Sequence, residues 1–334
     1  AYPGRATLAA GQVEEEEEAA AAAPEPAAPP VQRVFNTWQW SSGVGGPYTI
    51  NYRVEGDASG APLLLIHGFG ASVQHFRKNI PVLASAGYRV YAVDLLGFGA
   101  SDKPPAEDYR LELWRDLLTD FMADFSRKPD EAWVVMGNSI GGLLSLMLAS
   151  SLPGRVRGTV LFNSAGGLTS FRENELPWFL VPLGWFLRNV IFSEALLPRL
   201  FERFRTEENV RSVLSQVYVR PEAVTDELVQ ILVTPGQDDG AVEVFTKVLR
   251  ADAGPTPEGC LEAIGTPVLS IWGLQDPWTP YAAGMHPGNA FKNYKPDIEE
   301  MVLDRCGHCP QDECPEEVNE AVLGFLGRNG LGAR

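Results

Sequence analysis

Residues 133–144 have the sequence Trp-Val-Val-Met-Gly-Asn-Ser-Ile-Gly-Gly-Leu-Leu, and this stretch decides the fold. A short apolar run ends at Gly137, and a helical pattern of apolar residues begins at Ile140. Between them lies a Gly-x-Ser-x-Gly elbow, in which small neighbours permit a sharp strand-to-helix turn. Such a turn exposes the serine hydroxyl at a helix N-terminus, where backbone N–H groups favour developing negative charge. The stretch therefore favours a nucleophilic Ser139 over a simple glycine-flanked surface turn.

The composition limits the class of protein. The chain has 334 residues, of which 45% are hydrophobic, which is enough for one large core with an inserted subdomain. The net charge of −16 argues against nucleic acid as a partner and against electrostatic docking on anionic lipid. No stretch reaches the roughly 18 consecutive apolar residues of a membrane span, so none is predicted.

Residues 1–32 are rich in Ala, Glu and Pro, and they include five consecutive glutamates at positions 14–18. We expect a disordered acidic leader here, because such a segment buries too little apolar surface to fold. The chain begins at Ala1 rather than Met, from which we expect a processed form. An Arg- and Ser-rich targeting signal is not visible in the sequence.

Short apolar runs predict the strands of a core sheet. Runs of Val, Leu and Ile with little alternation indicate strands that are buried on both faces, and the helical segments between them indicate parallel connections. We therefore predict an α/β fold with a mostly parallel, doubly wound sheet in residues 33–165 and 256–334. The predicted strands are 35–40, 48–54, 62–67, 89–94, 133–137, 158–163, 266–273 and 299–304.

Residues 166–255 interrupt this pattern, since they contain no strand-like run and several helical patterns. Because they are inserted between two core strands, we predict a helical cap over the C-terminal edge of the sheet, where ligands bind. Aromatic residues crowd the first half of this segment. Each of them can simply pack the cap, but together they indicate an apolar roof and hence an apolar substrate. Phe171, Trp178 and Phe179 are the predicted substrate-binding residues.

A nucleophilic serine needs a base, and the base needs an orienting acid. His308 follows the last predicted strand, and Asp276 follows the strand before it. The chain order Ser139, Asp276, His308 is the order that accompanies a nucleophile elbow. We therefore predict these three residues as nucleophile, acid and base. A structural histidine at a turn is the alternative for His308.

The segment His67-Gly68-Phe69-Gly70 lies at the end of an earlier predicted strand. It is a His-Gly oxyanion segment, so the backbone N–H groups of Phe69 and Ile140 are predicted to hold the oxyanion of a tetrahedral intermediate. We expect His67 to brace this loop rather than to transfer protons. His75 and His286 are expected at surface or packing positions.

No metal site is predicted, because a histidine that acts as a base cannot also ligate zinc. The three cysteines around His308 therefore lack a fourth metal ligand. Two interpretations of these cysteines stay open. A disulfide formed on oxidation could shift His308, or the thiols could simply pack behind the loop. The cysteines are Cys306, Cys309 and Cys314.

The sequence resembles the α/β-hydrolase family over residues 33–328, from His67-Gly68-Phe69-Gly70 through residues 94–101 to His308. It is more narrowly similar to chloroplast hydrolases acting on chlorophylls, a group that contains chlorophyll dephytylase, pheophytinase and algal chlorophyllases. The cap segment 209–218 resembles the dephytylase and chlorophyllase branch. The elbow departs from the land-plant chlorophyllase pattern, since Asn138 and Ile140 replace a His and an Arg. The segments that carry the narrower similarity are 137–142, 161–167 and 307–313.

This resemblance implies a chloroplast enzyme that hydrolyses the phytyl ester of chlorophyll to chlorophyllide and phytol. It implies no cofactor, since magnesium would arrive only as part of the substrate. Peripheral contact with thylakoids or pigment-bearing complexes stays open. So do three alternatives: a pheophytinase that prefers Mg-free pheophytin, a lipase or carboxylesterase for another apolar ester, and a non-catalytic ligand receptor. A dehalogenase or epoxide hydrolase is disfavoured, because it would need Asp in place of Ser139.

Overall fold

A computed structural model of the chain describes residues 31–43, 45–168, 193 and 196–332. Its centre is a sheet of eight strands in the order β1-β2-β4-β3-β5-β6-β7-β8. Strands β3 to β8 run parallel to one another, whereas β2 is antiparallel to both of its neighbours, β1 and β4. The strands are β1 (Asn36–Trp40), β2 (Tyr48–Gly56), β3 (Pro62–Ile66), β4 (Arg89–Val93), β5 (Trp133–Asn138), β6 (Val156–Phe162), β7 (Val268–Gly273) and β8 (Glu299–Leu303).

Helices cover both faces of the sheet. In chain order the helices are α1 (Ile80–Ser85), α2 (Leu111–Asp124), α3 (Ile140–Ser151), α4 (Leu197–Phe204), α5 (Glu207–Val217), α6 (Asp226–Val233), α7 (Ala241–Arg250), α8 (Pro257–Ala263), α9 (Pro310–Glu313) and α10 (Pro315–Arg328). Helices α2, α3 and α8 pack on one face, and α1 and α10 pack on the other. The prediction of a mostly parallel, doubly wound sheet is confirmed.

The packing of the central strands explains why apolar and polar residues do not alternate in their sequences. In β3, Leu64 and Ile66 pack into the cluster with α2 and α3, whereas Leu63 and Leu65 pack into the cluster with α1 and α10. All four side chains are buried. Burying one such side chain stabilises the fold by about 2 kcal/mol, so both faces of this strand require apolar residues.

Helices α4 to α7 lie between β6 and β7. Thr206 and Thr225 cap α5 and α6, since their side chains accept hydrogen bonds from the backbone N–H groups of Asn209 and Leu228. Apolar residues of α5 and α6 form a separate buried cluster that also contains Cys309. In the described part of this insertion the regular elements are helices. Residues 1–30 and the three predicted aromatic residues, Phe171, Trp178 and Phe179, lie outside the described residues.

Within the ranges that the structure describes, no helix has both the length and the apolar character needed to cross a lipid bilayer.

Candidate active site

Ser139 lies at the turn between β5 and α3. Its backbone has φ 55° and ψ −119°, a conformation that is strained for a residue with a side chain. The turn closes because glycines flank it. A Cβ atom at Gly137 would lie 2.0 Å from the carbonyl oxygen of Gly141, and one at Gly141 would lie 2.1 Å from that of Ile66. The Gly-x-Ser-x-Gly spacing is therefore a steric requirement of this turn.

Backbone hydrogen bonds fix Ser139 against the end of β6. Its N–H donates to the carbonyl of Phe162 across 3.0 Å. Its carbonyl accepts from the N–H of Ala165 across 3.0 Å and from that of Gly142 across 2.9 Å. The serine is thus held at the C-terminal edge of the sheet, where a parallel sheet places its ligands.

His308 and Asp276 form a hydrogen-bonded pair, with 2.7 Å between Nδ1 of the imidazole and Oδ2 of the carboxylate. Asp276 follows β7 and His308 follows β8, so the sheet brings together residues that are 32 positions apart. Because the ionised carboxylate only accepts, Nδ1 carries the proton of this bond, and in the neutral imidazole Nε2 then has the free lone pair. The pair therefore leaves Nε2 as the atom that can accept a proton.

The Asp276 carboxylate is held in its ionised form. Burial opposes ionisation, but hydrogen bonds from His308 and Thr279 outweigh it and lower the pKa of Asp276 to about 2. The backbone N–H groups of Trp278 and Thr279 donate to Oδ1 across 2.7 Å and 3.1 Å. The Thr279 hydroxyl donates to Oδ2. The acid thus holds a permanent charge beside the imidazole.

Asn163 is a further partner of Asp276, and the sequence analysis missed it. Its Nδ2 donates to Oδ2 of Asp276 across 2.7 Å, and its Oδ1 accepts from the N–H of Gly273 across 2.9 Å. Asn163 follows β6, so four neighbouring strands, β5 to β8, each contribute a residue to the site from their carboxyl ends. Asn163 has a φ of 41°, a conformation that Asn tolerates better than most residues. In the sequence, the only hint of this role is therefore an Asn at the end of a predicted strand.

The predicted oxyanion segment packs directly against the elbow. A Cβ atom at Gly68 would lie 3.3 Å from the Cβ atom of Ser139. His67 Nδ1 lies 2.7 Å from the carbonyl oxygen of Gly68, and His67 Nε2 accepts from the N–H of Leu95 across 3.0 Å. Burial lowers the pKa of His67. Both ring nitrogens are thus engaged with backbone, so His67 braces the loop, as expected.

A cavity of about 1040 Å³ opens next to Ser139, Phe69, Ile140 and His308. Its described lining is mostly apolar, and helices α4 to α7 contribute many of the apolar side chains. The ring of Phe245 lies 4.5 Å from that of Phe201 and 5.4 Å from that of Phe69, so aromatic residues connect the cap to the oxyanion segment. Apolar lining residues from the cap include Phe201, Val210, Leu214, Leu232, Val244 and Phe245.

Comparison with known proteins agrees with this geometry. The sequence model of the alpha/beta hydrolase fold matches residues 61–315. The chain belongs to the alpha/beta hydrolase family.

This alpha/beta hydrolase is similar to two relatives of known sequence and to one solved structure, as follows. It is 30% identical to the 2-hydroxy-6-oxononadienedioate/2-hydroxy-6-oxononatrienedioate hydrolase of Burkholderia vietnamiensis, over 85% of this chain and 93% of the relative. It is 25% identical to the chloroplastic pheophytinase of Arabidopsis thaliana, over 83% of this chain and 64% of that protein. A meta-cleavage product hydrolase from Pseudomonas fluorescens shares the fold with a TM-score of 0.66 and 23% identity, covering 89% of this chain and 98% of that one.

Among the described residues that line the cavity of this alpha/beta hydrolase are two cations, and both are engaged with the protein. Lys103 Nζ donates to Oδ2 of Asp238 across 2.9 Å and to the carbonyl of Gly99 across 2.8 Å. Arg205 donates to Oε2 of Glu202 across 2.8 Å and to the carbonyl of Gly236 across 3.2 Å. In the described lining, both positively charged side chains are therefore engaged in bonds that stabilise the cap and the loop after β4.

Two histidines expected at surface or packing positions, His75 and His286, also line the cavity. Nε2 of His75 lies 2.9 Å from the Tyr218 hydroxyl, which donates to Oδ2 of Asp312 across 2.9 Å. Burial lowers the pKa of His75 to about 4, so this histidine is neutral near pH 7. Nδ1 of His286 lies 2.9 Å from a carboxylate oxygen of Glu258. Their partners lie far away in sequence, so no local pattern indicated these positions.

Within the described ranges, no group of three or more His, Cys, Asp or Glu side chains is arranged to hold a metal ion. The four cysteines are free thiols and are buried. The neighbouring Cys314 thiol and burial raise the pKa of Cys306, and burial raises the pKa of Cys309. Protonated thiols are poor nucleophiles, which favours packing over redox reactivity for these cysteines.

Proposed function

We propose that this alpha/beta hydrolase is a serine esterase that cleaves the phytyl ester of chlorophyll to chlorophyllide and phytol. One observation carries the proposal: Ser139 and His308 border the same large, mostly apolar cavity, and His308 is hydrogen-bonded to Asp276 behind it. A buried ionised acid beside a histidine is the arrangement that a serine nucleophile needs. A volume of about 1040 Å³ is at the upper end for small-molecule pockets and so favours a bulky substrate.

In the proposed first step, the Ser139 hydroxyl attacks the ester carbonyl while Nε2 of His308 takes its proton. The ionised Asp276 stabilises the imidazolium that forms, through its bond to Nδ1. The backbone N–H groups of Phe69 and Ile140 would hold the negative oxygen of the tetrahedral intermediate.

In the proposed second step, the intermediate collapses and the C–O bond to the alcohol breaks. His308 returns its proton to the departing phytol oxygen, which leaves the acyl group on Ser139. Water then enters, gives a proton to His308 and attacks the acyl carbon. In the second collapse the bond to Ser139 breaks, the Ser139 oxygen takes the proton back from His308, and the released acid loses its own proton to solvent as chlorophyllide carboxylate. His308 moves the protons of both collapses, so we propose no cofactor, and magnesium enters only as part of the pigment.

The cavity lining supports an apolar ester over a dicarboxylate substrate. The name of the Burkholderia relative specifies a dienedioate or trienedioate, which carries two carboxylates. Binding such a substrate requires cations that are available to it. The two described lining cations, Lys103 and Arg205, are occupied by Asp238 and Glu202.

The pigment itself is supported by resemblance. The chloroplastic pheophytinase of Arabidopsis thaliana is 25% identical to this chain. The segments around the elbow and His308 resemble hydrolases of chlorophylls. On the same basis we propose a chloroplast location. Mg-free pheophytin and other bulky apolar esters are the substrates to compare with chlorophyll.

Hydrolysis by purified protein tests the proposal. Wild type, Ser139→Ala and Ser151→Ala would each be supplied with chlorophyll a, pheophytin a, p-nitrophenyl butyrate and 2-hydroxy-6-oxononadienedioate. Ser151 is exposed at the end of α3 and serves as a matched serine control. We expect chlorophyllide from wild type and Ser151→Ala, and none from Ser139→Ala. Cleavage of the p-nitrophenyl ester alone would contradict the assignment of a pigment substrate. Cleavage of the dienedioate alone would contradict the proposal of an esterase.

A further inference from the structure

The segment that leaves the cap helix α5 runs along the loop that carries His308. The backbone N–H of His308 donates to the carbonyl of Val217 across 2.9 Å. Val217 and Tyr218 are buried in the same apolar cluster as Cys309, the residue after the histidine. The cap and the candidate base are therefore in direct backbone contact.

Glu313 joins these two segments through one buried carboxylate. Its Oε2 accepts from the N–H of Gly307 across 2.7 Å, and the thiol of Cys306 lies 3.7 Å from the same oxygen. Its Oε1 accepts from the N–H groups of Val219 and Arg220 across 2.6 Å and 2.7 Å. Hydrogen bonds to an ionised acceptor are about twice as strong as neutral ones. Both carboxylate oxygens therefore accept hydrogen bonds, one from the loop that carries His308 and the other from the cap segment 217–220.

The packing around Gly307 leaves the loop no room to move toward the cap. A Cβ atom at Gly307 would lie 1.9 Å from the carbonyl oxygen of Val217 and 3.2 Å from Oε2 of Glu313. The neighbouring Asp312 makes a second connection, because its Oδ2 accepts from the Tyr218 hydroxyl across 2.9 Å. His308 therefore takes its position from the cap segment as well as from Asp276.

We propose that Glu313 is a positioning residue that aligns His308 by fastening its loop to the cap segment 217–220. The proposal rests on the proposed function only in taking His308 as the base. Glu313 lines neither the described cavity nor the Asp276 carboxylate, so it acts through the position of the imidazole. A misplacement of about 1 Å at a reacting group is enough to lower a rate about a hundredfold.

Glu313→Gln is the test variant, because it keeps the shape of the side chain but replaces one accepting oxygen with an NH₂ group. That group faces backbone N–H donors and repels them. Glu316→Gln is the matched control, since Glu316 is exposed in the first turn of α10, whereas the neighbouring Glu317 binds the Arg220 side chain of the segment under test across 3.0 Å. Glu313→Asp keeps the charge but shortens the arm, and it provides a second variant should Glu313→Gln fold poorly.

Three measurements separate positioning from folding. We expect Glu313→Gln to lower kcat for p-nitrophenyl butyrate about 10- to 100-fold with KM changed by less than about threefold, because the defect lies in the transition state. Labelling of Ser139 by a fluorophosphonate should slow in parallel. Amide hydrogen exchange should become faster in residues 217–220 and 305–308. Glu316→Gln should match wild type, and Glu313→Asp should lie between wild type and Glu313→Gln.

The outcomes also distinguish this inference from the proposed function. Wild-type kcat in Glu313→Gln, whatever its thermal stability, would overturn the positioning role and leave the esterase untouched. A wild-type protein that neither cleaves p-nitrophenyl butyrate nor reacts with the fluorophosphonate would remove the proposed function. In that case, faster exchange in both segments of Glu313→Gln would still support the fastening of the loop, and unchanged exchange would overturn it.

Discussion

The side-chain amide of Asn138 donates a hydrogen bond to the backbone carbonyl of His308 across 2.9 Å. The residue before the candidate nucleophile therefore holds the backbone of the candidate base. The same Nδ2 group donates to the carbonyl of Phe162 across 3.1 Å. Two loops that are 170 positions apart in the chain are joined here, inside the fold.

Asn138→Ala should lower both stability and turnover. It removes the donor from the buried carbonyl of His308, whereas the carbonyl of Phe162 keeps the N–H of Ser139, and an unsatisfied buried polar group costs about 1–3 kcal/mol. We expect the free energy of unfolding to fall by that amount and kcat to fall about tenfold, because the backbone of His308 loses its support. Urea denaturation and ester hydrolysis measure the two effects. Asn36→Ala is the control, since Asn36 is exposed and makes one long bond of 3.4 Å to Tyr52. Equal losses in both variants would contradict a special role for Asn138.

Asp276→Asn should abolish most activity while the fold survives. An amide NH₂ group facing Nδ1 of His308 favours the tautomer with the proton on Nε2, which cannot accept the proton of Ser139. By analogy with other serine hydrolases we expect kcat to fall about ten-thousand-fold. Initial-rate kinetics with p-nitrophenyl butyrate measure this. Asp297→Asn should behave as wild type, because Asp297 is an exposed carboxylate bound to Lys295. A loss of less than tenfold in Asp276→Asn would remove Asp276 from the mechanism.

His75 should make the protein less stable at mildly acidic pH. Burial lowers the pKa of His75 from 6.5 to about 4, so between these values the unfolded chain binds a proton that the folded protein does not. Stability therefore falls as the pH decreases through this window, by about 3 kcal/mol in full. Urea denaturation of wild type and His75→Gln at pH 7, 5.5 and 4 measures the effect, and the variant should show a smaller decline. Parallel pH curves would contradict it.

Trp278 should contribute to binding of a bulky substrate. Its side chain is 55% exposed, lines the cavity and lies 5.2 Å from the His308 ring, centroid to centroid. An exposed indole beside the reacting groups offers a flat apolar surface to a substrate. We expect Trp278→Ala to raise KM for chlorophyll a about tenfold, with kcat/KM for p-nitrophenyl acetate changed by less than about threefold.

Leu274→Ala is the matched control for Trp278→Ala. Leu274 is 41% exposed on the same loop but does not belong to the described lining of the cavity. Steady-state kinetics on both substrates should leave this control at wild-type values. A Trp278→Ala variant that loses activity equally on both substrates would indicate a disturbed His308 rather than a lost binding surface.

The sheet and the elbow could be predicted from sequence because their causes are local. Strands buried on both faces, such as residues 63–66, need unbroken apolar runs, and the turn at Ser139 needs glycine on either side. Asp276 and His308 could be placed because they follow predicted strands of a parallel sheet. Their hydrogen bond of 2.7 Å agrees with that placement.

The supporting residues could not be predicted in the same way. Asn163 lies 113 positions from Asp276, and His75 lies 143 positions from Tyr218. Glu313 lies 94 positions from Val219. Side chains that bind across such separations produce no periodic pattern in the sequence. A single polar residue in the sequence also does not reveal whether its side chain is buried or exposed. The three aromatic residues predicted in the cap, Phe171, Trp178 and Phe179, stay predictions, since they lie outside the described residues.

The backbone contact between Val217 and His308 has a consequence for protein engineering. Helices α4 to α7 are inserted between two core strands, which suggests a module that could be exchanged, but residues 217–220, between α5 and α6, contact the loop of His308 through Val217 and Glu313. A chimera in which a foreign cap replaces the whole insertion would lose the surface on which the loop of His308 rests. A junction placed before Val217 would keep residues 217–220 with their native partners. Exchange of the first part of the cap should therefore end within α5, before Val217, so that residues 217–220 stay native.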